Sequence, residues 1–226
     1  MQTVPRNKIP RPGRGVAKRR GGLKKILFCA KILYMTDAQI IESLQKILNE
    51  IHDPKNGIFR NSDPETRKRL VSSIAHEKSI PEHNVRFALS GKDIYDEKLG
   101  DLVFCTGMAK VFLYTAKNSG LDLKAVITTE VECLNKGYSN RGHIVPAVKM
   151  SDGQYHIFEP RRRNVMTPDF QNMLKQPVQI GGTVFHIAAK SMIGKPYEVV
   201  DIIDGTELEK ITTMNDIIEK SRRHNN

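Results

Sequence analysis

The chain has 226 residues, enough for one domain with a sizeable core, and its formal charge at pH 7 is +11. Residues 1–34 hold ten Lys or Arg and no acidic residue, which leaves 26 basic against 25 acidic residues in the rest of the chain. Because the body is nearly neutral, the charge does not indicate nucleic-acid or membrane binding as the main function.

Residues 1–34 are predicted to form a disordered basic leader, since they are rich in Pro, Gly and Arg up to Gly22. The apolar stretch from Lys24 to Tyr34 is interrupted by Lys31 and is too short to span a bilayer. We therefore expect no membrane span. A solvated tail, an organellar presequence and an arm that binds polyanions all fit this composition, and Met35 is a candidate for the natural start.

Two amphipathic helices are predicted after the leader. Thr36 and Gln39 have capping-box spacing, in which each side chain binds the other's backbone N–H, and an apolar stripe follows until Asp53. A second helix is predicted from about Pro64 to Glu77. Both are interpreted as packing elements, and residues 89–101, which follow them, are predicted to be polar and turn-like.

A third helix is predicted from about residue 106 to 118, directly after Cys105. Apolar residues recur at helical spacing as far as Ala116, and Gly120 is a typical terminator. At a helix start, unpaired N–H groups and the macrodipole favour a thiolate, so Cys105 is a candidate nucleophile. The alternative is that Cys105 fills the core, because cysteine is among the most buried residue types.

The next stretch predicts a strand over 121–132 and then a hairpin of residues 141–150 and 154–160. A three-residue loop with Gly153 left-handed pairs Met150 with Gln154 and makes Glu159 a same-face diagonal neighbour of His143. A two-residue loop would put Glu159 on the opposite face. Pro146 in the first hairpin strand predicts an edge strand or a bulge.

Two more strands and a last helix are predicted, at 183–189, 197–203 and 207–222. The three cysteines, Cys29, Cys105 and Cys133, form neither a metal-ligand spacing nor an even disulfide framework. Cys133 is interpreted as structural and His186 as a core or sheet residue. We expect no metal site and no cofactor.

The order of motifs over residues 100–160 is also informative. Cys105, Gly107 and Ala109 open a helix as Cys-x-Gly-x-Ala, Ser-Gly-Leu follows it, a His begins a later strand, and an acid followed by Pro ends the next. This pattern resembles the core of the transglutaminase-like superfamily, which includes transglutaminases, bacterial cysteine peptidases and, with similar spacing, arylamine N-acetyltransferases. The resemblance implies an α+β, transglutaminase-like (papain-like) core, with N-terminal helices and a nucleophile helix packed on an antiparallel sheet, as one catalytic domain over residues 35–222.

The resemblance also implies a catalytic triad. Cys105 would be the nucleophile, His143 the base that takes its proton, and Glu159 the acid that orients the imidazole. The acid is usually Asp in this family, so Asp152 and Asp169 are fallback candidates. The backbone N–H of Cys105 is a candidate oxyanion donor, and Tyr95 is a weaker one.

The expected function is acyl transfer from a peptide or glutamine amide to water or an amine, as a protease, deamidase or transglutaminase. Its partner would be a protein or peptide substrate, in the cytoplasm or, for a secreted bacterial effector, in a host cell. The alternative is a non-catalytic interaction domain of the same fold. In that case the basic leader would bind an anionic partner, and we expect no more than weak nucleic-acid binding.

Overall fold

The computed structural model describes residues 35–130, 142–158, 160, 184–185 and 197–223. The predicted leader, residues 1–34, lies outside them. The helices are α1 (Asp37–Ile51), α2 (Pro64–Glu77), α3 (Val85–Ala88), α4 (Gly91–Asp96), α5 (Cys105–Ala116), α6 (Gly205–Glu209) and α7 (Met214–Arg223), with 3-10 turns at Glu82–Asn84 and Gly100–Leu102. The strands are β1 (Leu123–Glu130), β2 (Gly142–Lys149), β3 (Tyr155–Ile157), β4 (Val184–Phe185) and β5 (Tyr197–Ile203).

The strands form one antiparallel sheet in the order β3-β2-β1-β5-β4. β1 pairs with β2 in one continuous register that places Val126 opposite Val145. Against β5, β1 has a register shift between Ile127 and Thr128. Helices together with an antiparallel sheet confirm the predicted α+β class.

Helices α1 and α2 begin and end where the sequence predicts. In α1, the Thr36 hydroxyl accepts from the Gln39 backbone N–H, and the Gln39 side chain accepts from the Thr36 backbone N–H at 2.9 Å. In α2, the Asp63 carboxylate caps the N–H of Thr66 at 3.0 Å, with Pro64 in the first turn. The α1 stripe is buried as expected, at Ile40, Leu44, Ile47, Leu48 and Ile51.

The prediction of polar turns over residues 89–101 is wrong, because the segment contains helix α4 and a 3-10 turn. Ser90 and Asp93 form a capping box around the start of α4. Three apolar side chains between the polar ones are buried: Leu89, Ile94 and Leu99. A six-residue helix has too few turns to show an apolar stripe, so polar composition dominated the prediction.

The single helix predicted over 207–222 is two helices, α6 and α7. The backbone N–H groups of Thr212 and Thr213 both donate to the Asp216 carboxylate at 2.7 Å, and the Thr213 hydroxyl accepts from the Asp216 N–H. This reciprocal cap starts a new helix and so interrupts the first.

The sheet is buried on both faces. On one face, Ala109 of α5 belongs to the same buried cluster as Ile127 and Ile144, and the Phe112 ring meets Phe158 edge-on at 4.8 Å. The opposite face carries a second apolar cluster, in which every member is almost fully buried: Val126, Val145, Ala147, Ile157 and Val199. Alternation of side chains along each strand separates the two sets.

The prediction that Pro146 marks an edge strand or a bulge is wrong. β2 lies between β1 and β3, and Pro146 pairs with Ala125 without a break in register. The Pro146 carbonyl accepts from the Phe158 N–H at 3.0 Å. Since the nitrogen and carbonyl of one residue point to the same side of a strand, the missing N–H faces the end of β3 and leaves the β1 ladder intact.

Lys110 is a buried cation on the apolar face of α5. Its Nζ donates to the carbonyls of Phe87 at 2.8 Å, Leu89 at 3.3 Å and Ile211 at 2.9 Å. The Glu209 carboxylate lies 3.8 Å away. Burial lowers the pKa of Lys110, and the negative charge of Glu209 opposes that effect. One side chain thus ties the end of α3 and the segment after α6 to α5.

Candidate functional site

Cys105 is the first residue of α5, as the sequence predicts within one residue. Phe104 precedes the helix in an extended conformation and provides no side-chain cap. The Phe104 carbonyl accepts from the Met108 N–H at 2.9 Å, which closes the first turn. The Cys105 thiol is reduced and half-buried. This helix-start position is the one on which the prediction of a nucleophile rests.

Gly107 explains part of the Cys-x-Gly-x-Ala motif. A Cβ on Gly107 would lie well inside van der Waals contact with the Cβ of Val103. The missing side chain therefore lets the segment before Cys105 fold back closely on the first turn of α5. After the helix, Gly120 is left-handed with φ of +83°, as its role as terminator predicts.

His143 lies near the start of β2 and is 8% exposed. Its neighbour Ile144 shares a buried cluster with Ala109, one turn along α5 from Cys105. Further along α5, Phe112 meets Phe158, whose N–H binds the Pro146 carbonyl, so the start of α5 and the start of β2 lie at the same end of the sheet. Successive side chains of a strand, however, point to opposite faces of the sheet. His143 therefore lies on the same face as Val145, whereas Ile144 lies on the face that α5 covers. The fold therefore brings the two residues to one end but assigns them to different faces.

The hairpin register that led us to Glu159 is confirmed. Gly153 has a φ of +79°, and the Met150 N–H donates to the Gln154 carbonyl at 2.9 Å. Further along, Ala147 pairs with Ile157 in the same register. Glu159 itself lies outside the described residues, and so its predicted role stays a prediction.

Both chain neighbours of Glu159 are held in place. The Phe158 ring packs on Phe112 of α5. The Pro160 carbonyl is hydrogen-bonded to Nε2 of His52 at 2.9 Å, and the His52 ring stacks on Phe59 with centroids 4.9 Å apart. Helix α5 and the end of α1 therefore hold Phe158 and Pro160, respectively.

The fallback acid Asp152 lies far from His143. It is at the tip of the hairpin, at the other end of β2, where its carboxylate pairs with Nε2 of His156 at 2.8 Å. A hydrogen bond from the Gln154 N–H lowers the pKa of Asp152. Asp169, the other fallback acid, lies outside the described residues, as do Cys29, Cys133 and His186.

Tyr95 does not serve Cys105. Its hydroxyl donates to the Glu50 carboxylate of α1, and this hydrogen bond raises the pKa of Tyr95 to about 12. Its ring lies 5.9 Å from that of Tyr114, in the last turns of α5. The residue ties α4 to α1, so it is not an oxyanion donor.

Sequence analysis did not single out Phe104, which precedes Cys105, or Arg86, which contacts Phe104. Phe104 is 52% exposed, an unusual exposure for a large apolar side chain. The Arg86 guanidinium lies 5.2 Å from the Phe104 ring centroid and 4.9 Å from that of Phe87. Phe104 could have been noticed in the sequence as an aromatic residue directly before the cysteine. No sequence pattern indicates that Arg86 contacts Phe104.

A cavity of about 540 Å³ lies at the far end of α5, lined among others by Tyr114, Lys117 and Leu208. It contains none of the predicted catalytic residues. Within the described ranges, no three His, Cys, Asp or Glu residues are grouped to hold a metal ion. None of the helices described is long and apolar enough to cross a bilayer.

No family model matches this chain, and no curated protein or solved structure matches it either.

Proposed function

We propose that the protein is a cysteine-nucleophile acyl-transfer enzyme that acts on peptide or glutamine amides. The observation that carries the proposal is Cys105 as the first residue of α5, with a half-buried thiol. The position of His143 at the same end of the sheet supports it, as does the resemblance of residues 100–160 to the transglutaminase-like superfamily. Helix start and thiol together supply an activated nucleophile.

The proposed reaction requires the His143 imidazole, at the start of β2, to turn from its strand face toward α5, where it takes the proton of the Cys105 thiol. The sulfur then attacks the amide carbonyl carbon, and the backbone N–H of Cys105 binds the developing oxyanion. The C–N bond breaks, the imidazolium returns the proton to the leaving amine, and a thioester remains. Water or a second amine cleaves the thioester and regenerates the thiol. Glu159 is the proposed partner that orients the imidazole.

A second candidate function is a non-catalytic interaction domain of the same fold. The alternation of β2 favours it, because this assigns His143 to the face away from α5. Cys105 would then be a half-buried packing residue. The basic leader, residues 1–34, would bind an anionic partner, and deletion of the leader would abolish polyanion affinity at low salt.

The rate of Cys105 alkylation by iodoacetamide between pH 5 and 9, read by peptide mass spectrometry, separates the two candidates. The enzyme proposal predicts fast alkylation below pH 7 that collapses in His143→Ala. The control His76→Ala changes an exposed histidine on α2 and should behave as wild type. Slow alkylation that rises only near about pH 8.5 in all three proteins would reject the Cys–His pair.

A further inference from the structure

The surface beside Cys105 combines an aromatic ring with a cation. Phe104 directly precedes the cysteine, so their Cα atoms are about 3.8 Å apart. The Arg86 guanidinium lies against the Phe104 ring on one side and the Phe87 ring on another, at 5.2 Å and 4.9 Å. Phe87 is buried and Phe104 is half-exposed. The cation therefore lies between the core and the surface, against the residue that precedes Cys105 in the chain.

The position of Arg86 relative to Cys105 is fixed through α5 itself. Lys110, on the same helix as Cys105, binds the carbonyls of Phe87 and Leu89. These two bonds hold the end of α3 against the nucleophile helix. Stacking on two rings further restricts the guanidinium, so little side-chain freedom remains to be lost when it binds a ligand.

The Arg86 guanidinium is not paired with an acidic side chain in the described part of the chain. Its Nε is shielded from solvent and has no hydrogen-bond partner in the part of the chain that the structure describes. No carboxylate in that part forms an ion pair with Arg86. The acid one turn before it, Glu82, accepts instead from the Ser72 hydroxyl. Because Nε is shielded, a ligand would reach the guanidinium through its two terminal nitrogens, and a planar guanidinium is the preferred side chain for binding a carboxylate.

We propose that Arg86 and Phe104 form a subsite that binds a carboxylate of the substrate, next to the amide presented to Cys105. The inference rests on the proposed function and adds a substrate class: amides that carry a carboxylate close to the reacting carbonyl. Arg86 binds the carboxylate, and the exposed Phe104 ring covers the adjoining apolar part of the substrate. Both an acidic side chain and a free α-carboxylate have this chemistry.

Two alkylating reagents test the subsite without requiring turnover. Iodoacetate and iodoacetamide undergo the same displacement, in which the thiolate forms the S–C bond and iodide leaves, but only iodoacetate carries a carboxylate. The ratio of their rates at Cys105 cancels changes in thiolate fraction. We expect Arg86→Gln to lower this ratio roughly three- to tenfold, as for loss of one partly buried charged hydrogen bond. Arg86→Lys keeps the charge but loses the planar fork, so it should retain part of the preference.

The matched control is Arg69→Gln, which removes an exposed cation from α2. The control should leave the ratio as in wild type. An equal fall of the rate ratio in Arg86→Gln and Arg69→Gln would mean that the overall positive charge of the protein attracts iodoacetate. An unchanged ratio in Arg86→Gln would mean that Arg86 does not bind the reagent. Either result overturns the subsite. The iodoacetamide pH profile of His143→Ala is independent of this ratio, so failure of the Cys–His pair is recognised separately.

Protection of Cys105 by peptides distinguishes the two sources of carboxylate. One peptide carries Glu and an amidated C-terminus, and the other has neutral side chains and a free C-terminal carboxylate. If the Glu peptide slows alkylation, the subsite binds a side-chain carboxylate, and if the peptide with a free C-terminus does so, it binds an α-carboxylate. In either case Arg86→Gln should abolish the protection. If neither peptide protects, or if protection survives in Arg86→Gln, the substrate class is wrong.

Discussion

At the scale of single residues, Lys110 is the one charged side chain in the sequence of α5, and it is almost fully buried. Its stem lies on the apolar face of the helix, while its ammonium replaces lost hydration with three backbone carbonyls. In the sequence, Phe87 and Leu89 come before the strands of the sheet, and Ile211 comes after them. A buried amine with three acceptors is a structural tie, so it is not available as a nucleophile.

The substitution Lys110→Met keeps the length and volume of the stem but removes all three donors. The carbonyls of Phe87, Leu89 and Ile211 would stay buried without these partners. We expect the free energy of unfolding to fall by about 2–4 kcal/mol, measured by urea denaturation. Lys117→Met, on an exposed position just after α5, is the control and should stay within about 0.5 kcal/mol of wild type. Equal stability of Lys110→Met and wild type would show that the carbonyls find other donors.

At the scale of elements, capping decides where the chain changes direction. Reciprocal caps begin α1, α4 and α7, and the Asp204 carboxylate accepts from the Glu207 N–H to begin α6. At α7, burial would raise the pKa of Asp216, but hydrogen bonds from Thr212 and Thr213 outweigh it and lower the pKa. The ionised carboxylate is thus the form that stabilises this helix.

The substitution Asp216→Ala should cost about 1 kcal/mol at neutral pH, the usual value of a helix cap. The folded-state pKa of Asp216 is below the ordinary aspartate value of about 3.9, so the stabilisation is complete above that value and is lost as the pH falls through the folded pKa. The stability difference between wild type and Asp216→Ala should therefore shrink in acid. Chemical denaturation from pH 7 to 2.5 measures it, with Glu219→Ala, an exposed position of α7, as control. A difference independent of pH would exclude the carboxylate as its cause.

Long elements with clear end signals could be predicted from the sequence, and short ones could not. Helix α2 and strand β5 have the predicted bounds, because Asp63-Pro64 marks a helix start and Tyr197–Ile203 is rich in β-branched residues. Helix α4 was missed because six residues give too little periodicity. The cap at Asp216 was missed because apolar residues recur at helical spacing on both sides of Thr213, and this pattern is typical of one continuous helix.

The candidate site was predictable only in part. The helix start at Cys105 follows from local apolar spacing, and the hairpin register follows from the turn at Gly153. Alternation also shows which residues share a face with His143. It does not show which face meets α5, because tertiary packing decides that. Arg86 comes next to Phe104 only through contacts between helices, so a reading of local motifs does not find it.

At the scale of the whole molecule, the C-terminal segment completes the core around α5. Ile217 of α7 is buried in the cluster that contains Ala109, Ile127 and Ile144. The Ile211 carbonyl, just before α7, binds Lys110. Packing that holds the first turns of α5 against the sheet therefore depends on residues from the end of the described chain.

Removal of residues 212–226 should abolish most of the cooperative thermal unfolding, because it exposes the apolar surface that Ile217 covers on β1 and β5. Removal of residues 224–226 alone is the control and leaves α7 intact. Circular dichroism melts and urea titrations measure the effect. A shortened chain with the melting temperature of wild type would show that α7 is dispensable for the core.

The strand order also determines how the chain folds. β1 is flanked by β2, its near neighbour in sequence, and by β5, which is synthesised much later, and Lys110 meets Ile211 across 101 positions. Closure of such distant pairs has a large entropy cost before any contact is gained, and this slows folding. The nascent chain therefore emerges from the ribosome with one edge of β1 unpaired. During that interval β1 is open to pairing with other chains, so rapid synthesis at high concentration favours aggregation.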